Sequence, residues 1–341
     1  KPLDLVKRSP LLPQTKDPKG KADRKIGEVT TVNTETSKTL AYLGTPDDVR
    51  RWYQGALGLE ARLVGFGPVH ANDPAVQFAV QSAKRQLGEV QPALEWYRQF
   101  AASQPDGPYR KAALAELWLN NRTGPAPKPL MTARVTGTKP FLDGKLDDVC
   151  WLEARPVKLQ NAVGSTGETH PTEARICYDR DFLYLAVRCG HPEGDVGEVA
   201  TTRTRDKDLR DKDRISLMLD LDRDYGTCFH LQVDSTGCVA EDCWGDKSWD
   251  PRWFVSVKHD STGWTLEAAL PRNSLTGDHI TTGKAWAANI VRVLPGQGVQ
   301  AFSLPAEAPE EAMRPEGMGL LLFTREAEQA STKEKQPAAV R

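Results

Sequence analysis

The sequence predicts a multi-domain α and β protein, a small helical bundle followed by an antiparallel β-sandwich. Three observations predict it. Helix-start phrases and apolar residues at helical spacing fill residues 41–122, and short alternating segments fill residues 131–325. Between them, Thr123-Gly124-Pro125-Ala126-Pro127-Lys128-Pro129 is stiffened by its prolines and reads as a spacer over residues 123–130.

Bulk properties narrow the function classes. The chain has 341 residues, enough for two domains. Its 45 basic and 46 acidic residues leave a formal charge of −1, so it lacks the basic surface that nucleic acid or an anionic membrane attracts. No apolar run approaches the ~20 residues that span a bilayer. Residues 1–40 are rich in Lys, Pro, Thr and Asp and read as a flexible arm, and residues 326–341 as a flexible tail.

The helices follow in order. Thr45-Pro46-Asp47-Asp48 combines a hydroxyl cap, proline at the first position and acids in the first turn. Asp73-Pro74 starts a second helix in the same way, with an apolar face through Val76, Phe78, Val80, Ala83 and Leu87. A third carries Ala93, Leu94, Trp96, Tyr97 and Phe100, and a fourth Ala112, Ala113, Leu114, Leu117 and Trp118. The third helix and its flanks, Leu87-Gly88 to Pro105, are similar to one tetratricopeptide-like unit. Two roles stand for this bundle: packing on the sandwich, or a platform for a protein partner or a second copy, with the N-terminal arm contributing.

The strands follow the linker. Arg175–Tyr178 and Leu183–Arg188 flank Asp179-Arg180-Asp181 as a hairpin. Ile215, Leu217 and Leu219 alternate with Ser216 and Met218. Phe229, Leu231 and Val233 do so with His230 and Gln232, and Trp264, Leu266, Ala268 and Leu270 form a further set.

Five phrases in this order carry a family resemblance. They are Asp143-Gly144-Lys145-Leu146-Asp147-Asp148 with Trp151, Ala174–Asp179, Leu183–Val187, Asp213–Asp220, and Gly263–Pro271. Together they resemble the family 9 carbohydrate-binding module and its wider DOMON-like group. The resemblance implies a non-catalytic, exported, extracytoplasmic module that takes a glycan or polysaccharide at one end of the sandwich between two aromatic side chains, with structural calcium in several members. It also allows a structural or assembly protein that keeps the fold without the sugar, and a haem-binding variant with Met218 and His230 as axial candidates.

The loop before Asp213, Thr201–Lys212, has no aromatic, and the late loop from Pro295 to Pro315 offers Phe302 alone. Aromatic density lies instead in Cys243–Trp253. Trp244 and Trp249 read as a stacking surface for a sugar ring, with Asp246, Lys247 and Asp250 on its hydroxyls. The alternative is that these tryptophans pack against the sheet. Asp220, Asp222 and Asp224 before Gly226 are a hard-oxygen set suited to calcium, or else a solvated charged turn.

All six cysteines follow residue 149, without a C-x-x-C. A two-residue turn at Ser235-Thr236 places Cys228 opposite Cys243 as a disulfide candidate; another register leaves six thiols. No nucleophile elbow, phosphate-binding loop, metalloprotease helix or dinucleotide fingerprint is present, so no catalytic residue is expected. Glu267 lies mid-strand, with Arg292 as its expected partner.

Overall fold

The computed structural model describes residues 46–161, 170–191, 204–206, 208–303 and 308–325. The expected arm over residues 1–40 and tail over residues 326–341 lie outside the described residues.

The helices are α1 (Pro46–Phe66), α2 (Pro68–Ala71), α3 (Pro74–Gln86), α4 (Val90–Ser103) and α5 (Pro108–Asn121). The Asp73 carboxylate accepts the Ala75 N–H at 2.9 Å, the cap its spacing predicts. The strands are β1 (Leu130–Val135), β2 (Val157–Lys158), β3 (Gln160–Asn161), β4 (Thr172–Tyr178), β5 (Phe182–Gly190), β6 (Arg214–Asp220) and β7 (Phe229–Asp234). They continue with β8 (Val239–Cys243), β9 (Phe254–Asp260), β10 (Gly263–Pro271), β11 (Ala285–Leu294), β12 (Gly298–Ala301) and β13 (Gly319–Thr324). Two short helices, α6 (Val149–Glu153) and α7 (Pro309–Ala312), interrupt the strands.

The strand order is β8-β7-β6-β11-β13-β1-β4-β5-β10-β9, with β12 and β3 beside β11, and β2 beside β4. The sheet curls so that one apolar face from all ten main strands closes on a single core, including Ile215, Leu266, Ile290 and Phe323. The pairing is antiparallel as predicted, with one departure. β1 runs parallel to both β13 and β4. The long connection through α6 supplies the crossover that parallel neighbours need.

Both outer faces are covered. On one, Leu142, Cys150 and Trp151 pack on Tyr184, Ala186 and Ala269. On the other, Met218, Ala287 and Met318 meet the helices. This double cover explains why β6 and almost all of β10 are buried at every position rather than alternately.

Phe78 of α3 is the centre of the helical contact. Trp96, Tyr97, Phe100, Tyr109 and Tyr225 surround its ring, with centroids 5.3–5.6 Å away. Four of these belong to the helices and Tyr225 to the β6–β7 loop, so the loop plugs the helical core. Among the described residues, no helix is long and apolar enough to cross a membrane.

Candidate functional site

The β6–β7 loop, the end of β8 and α1 border one cleft. Between α1 and the strand ends lies a cleft of about 960 Å³, bordered by Trp52, Tyr53, Arg122, Phe229, His279 and Trp286. Its borders mix aromatic faces with charged groups, among them Asp222, Asp278 and Lys284.

Beside this cleft, β8 ends in a hairpin turn. Cys243 and Asp246 pair across it, and the turn residues Trp244 and Gly245 both have left-handed backbones, with φ of 52° and 79°. Such a turn is natural for glycine and costly for tryptophan. The Asp242 carboxylate accepts the Gly245 N–H at 2.7 Å and helps hold it. Trp244 is 71% exposed, whereas the other tryptophans of this segment are buried. Its backbone N–H donates to the Cys228 carbonyl, and both Cys228 and Cys243 border the cleft.

The five predicted ligand residues therefore separate. Trp244, Asp246 and Lys247 are exposed at the tip of the turn. Trp249 is not part of an exposed stacking surface with Trp244. It packs in the sandwich core 4.8 Å from Phe229, and its Nε1–H donates to the Ser274 carbonyl. Asp250 is drawn inward by Arg205, which also pairs with the buried Glu241. Trp253 is a core residue as well.

The acidic loop has a constructional role. The Asp220 carboxylate accepts the N–H groups of Arg223, Asp224 and Tyr225. That of Asp224 accepts those of Gly226 and Thr227. These bonds hold Arg223 and Tyr225 with φ of 55° and 53°, the conformation that sends both toward the helices. Asp222 instead takes the Tyr53 hydroxyl at 3.3 Å, and its carbonyl takes Ser82 and Arg85. One oxygen from each of the three carboxylates lies within 4.8 Å of the others, so the donor set fits a cation. Burial, then the neighbouring carboxylates, push Asp220 well up and Asp224 to about 6.

A buried ion-pair network closes the joint. Glu116 lies 2.7 Å from Arg223 and 3.1 Å from Arg85. Burial opposes its ionisation, but the two guanidinium groups outweigh burial and hold it below the usual carboxylate range. Sequence reasoning missed Glu116, Arg223 and Tyr225. The available signal was an acid at position 116 on the apolar face carrying Ala112, Ala113 and Ala115.

Three other expectations are corrected. The β7–β8 turn has three residues, Ser235-Thr236-Gly237, because Gly237 adopts φ of 88°; Val233 therefore faces Val239. The register shifts by one, Cys243 faces Phe229, and Cys228 and Cys243 pack on opposite faces of the sheet as free thiols. Glu267 does not meet Arg292, which points into the other face and pairs with Asp213 at 2.7 Å. Glu267 instead accepts Trp151 Nε1–H at 2.8 Å and the Gly144 N–H at 2.6 Å. Met218 is buried beneath the helices, and both ring nitrogens of His230 are engaged, by Asp242 and Gln232. Neither residue offers a free axial ligand for haem.

No protein-family model matches the sequence, and no curated protein matches it. Solved structures do. The sandwich is similar in fold to family 9 carbohydrate-binding modules. A module from Caldicellulosiruptor kristjanssonii, solved with cellotriose, is 15% identical with a TM-score of 0.44, over 62% of this chain and 100% of that one. A structure from the same organism with glucose is 14% identical with a TM-score of 0.44, over 59% and 99%. A Bacteroides uniformis protein assigned provisionally to carbohydrate binding is 11% identical with a TM-score of 0.43, over 57% and 99%.

Proposed function

We propose that this protein is a non-catalytic, extracytoplasmic glycan-binding protein whose ligand engages the Trp244 turn and the cleft beside it. The observation that carries the reading is Trp244 itself. A bulky side chain held exposed on a left-handed backbone is retained at a cost, and such strain gathers at functional sites. An indole face stacks on the apolar C–H face of a sugar ring, and Asp246 and Lys247 at the same tip supply groups for hydroxyls. We include calcium at Asp220, Asp222 and Asp224 as a support of the loop that borders the cleft.

The test is a titration of the 341-residue chain against a broad glycan array that includes cello-oligosaccharides, with and without calcium. A specific hit that weakens in Trp244→Ala is the expected result. Unchanged binding in that variant removes the turn from the site, and no hit from folded protein overturns the glycan reading.

A second reading, assembly, has its own observation. Trp52, Leu59, Val64, Phe66 and Val69 are large apolar residues left exposed on α1 and α2, while the Glu116 network joins the helices to the sandwich. The expected result is an oligomer or partner complex that weakens when residues 1–40 are removed.

A further inference from the structure

The connection from β1 to β2 carries α6, a short helix that lies on the outer face of the sheet. A helix of this length is not stable by its own propensity and depends on what holds it down. Three hydrogen bonds do so on the side of β10. Glu267 accepts the Gly144 N–H and the Trp151 Nε1–H, and the Thr265 hydroxyl donates to the Gly144 carbonyl at 2.6 Å. Cys150, beside Trp151, is buried against the sheet, whereas Val149 and Leu152 of the same helix are exposed.

On β4, the alternate residues Ala174, Ile176 and Tyr178 enter the sandwich core, so Cys177 belongs to the outer face beneath α6. There the Cys150 and Cys177 thiols hydrogen-bond each other among Leu142, Tyr184 and Ala269. That bond, and then burial, push the Cys177 thiol up. The other thiols are placed differently. Cys238 receives the hydroxyls of Thr204 and Thr236 at 3.9 and 3.6 Å. Cys189 lies in the sandwich core, and Cys228 and Cys243 pack on opposite faces of their hairpin.

We propose that Cys150 and Cys177 are a redox-sensitive pair that closes to a disulfide and staples α6 to β4. The oxidant is a small or protein disulfide. When α6 lifts, one thiolate attacks a sulfur of that disulfide and releases one thiol. The second thiolate then attacks the protein-bound sulfur, forms the Cys150–Cys177 bond and releases the other thiol. The pair gives up two electrons and two protons, and the oxidant leaves as two thiols. The staple adds a covalent anchor on β4 to the hydrogen bonds on β10, and so fixes Trp151 over Glu267. It closes in an oxidising compartment and stays open where thiols are kept reduced. The pair stands apart from the glycan and assembly readings and survives the failure of either.

The full-length folded protein, incubated with oxidised glutathione, alkylated and digested, tests the pair. A linked peptide joining Cys150 to Cys177 is expected by mass spectrometry. The oxidised protein is expected to melt about 4–8 °C above the same sample after reduction, since the bridge restricts the unfolded chain. Cys150→Ala and Cys177→Ala are each expected to lose the linked peptide and the oxidant-dependent rise in melting temperature, and Cys228→Ala is expected to keep both. The comparison of oxidised and reduced unaltered protein stands even where a variant fails to fold. Recovery of Cys150 and Cys177 as alkylated thiols, or as separate glutathione adducts, overturns the pair. A linked peptide joining either to another cysteine overturns it too. A Cys150–Cys177 bond that leaves the melting temperature unchanged overturns the staple.

Discussion

Glu116 of α5 and Arg223 of the β6–β7 loop pair at 2.7 Å, buried where the helices meet the sandwich. Arg85 of α3 completes the network. Three charges share one site, so removing the single carboxylate leaves two guanidinium groups without a counter-charge. Glu116→Ala is therefore expected to cost about 3–5 kcal/mol, measured by urea unfolding. A loss below about 1 kcal/mol would mean that water reaches both arginines and that the network contributes little to the joint.

The same joint shows what could be read from the chain and what could not. Helix starts such as Asp73-Pro74 were legible because a cap acts on a backbone group two residues away. The strands were legible from residues at alternate positions, and Ile215, Leu217 and Leu219 share the core face as that pattern predicts, although the opposite face of the same strand is buried too. Tyr225 was not legible. Its ring partner Phe78 lies far away in the sequence, and a tyrosine inside an acidic turn carries no local mark of such a contact. The β7–β8 register failed for another reason. A single residue in the turn, Gly237, decides which side chains face each other, and one step put Cys228 and Cys243 on opposite faces rather than side by side. In the candidate site, composition found the tryptophan-rich loop but could not tell exposed Trp244 from buried Trp249, because both sit among turn formers.

That distinction gives opposed outcomes for two similar substitutions. Trp244→Ala is expected to leave stability nearly unchanged, because the side chain is exposed and alanine keeps the Cβ that makes the left-handed backbone costly, while weakening glycan binding at least about tenfold. Trp249→Ala is expected to cost about 3–5 kcal/mol of stability through the cavity it leaves. Thermal unfolding and calorimetric titration of both variants against the glycan found on the array separate the two. A Trp244→Ala variant with full affinity would remove that indole from the ligand site.

Calcium has a specific signature if it sits at the acidic loop. Added calcium is expected to raise the melting temperature, by the equivalent of about 2.7 kcal/mol at a hundredfold excess over its dissociation constant. Asp222→Asn is expected to abolish the shift, because Asp222 is the carboxylate of the three without backbone N–H partners in the loop. No shift in the unaltered protein would make the loop a hydrogen-bonded turn and nothing more.

Glu267 predicts a pH dependence whose sign follows from its site. It is buried beneath the Asp143–Asp148 loop, and burial pushes its pKa up to about 7 despite the bonds from Trp151 and Gly144. The folded state therefore holds a proton that the unfolded chain, with its ordinary value near 4.5, releases earlier. The stabilisation from this group is complete below the unfolded value and is lost as pH rises through about 7. Glu267→Gln cannot titrate, so the stability of the unaltered protein relative to this variant is expected to fall by on the order of 3 kcal/mol between acid and neutral pH. Urea unfolding of both proteins across that window measures it. A constant difference would mean that Glu267 stays ionised throughout, with its two N–H donors outweighing the loss of solvent.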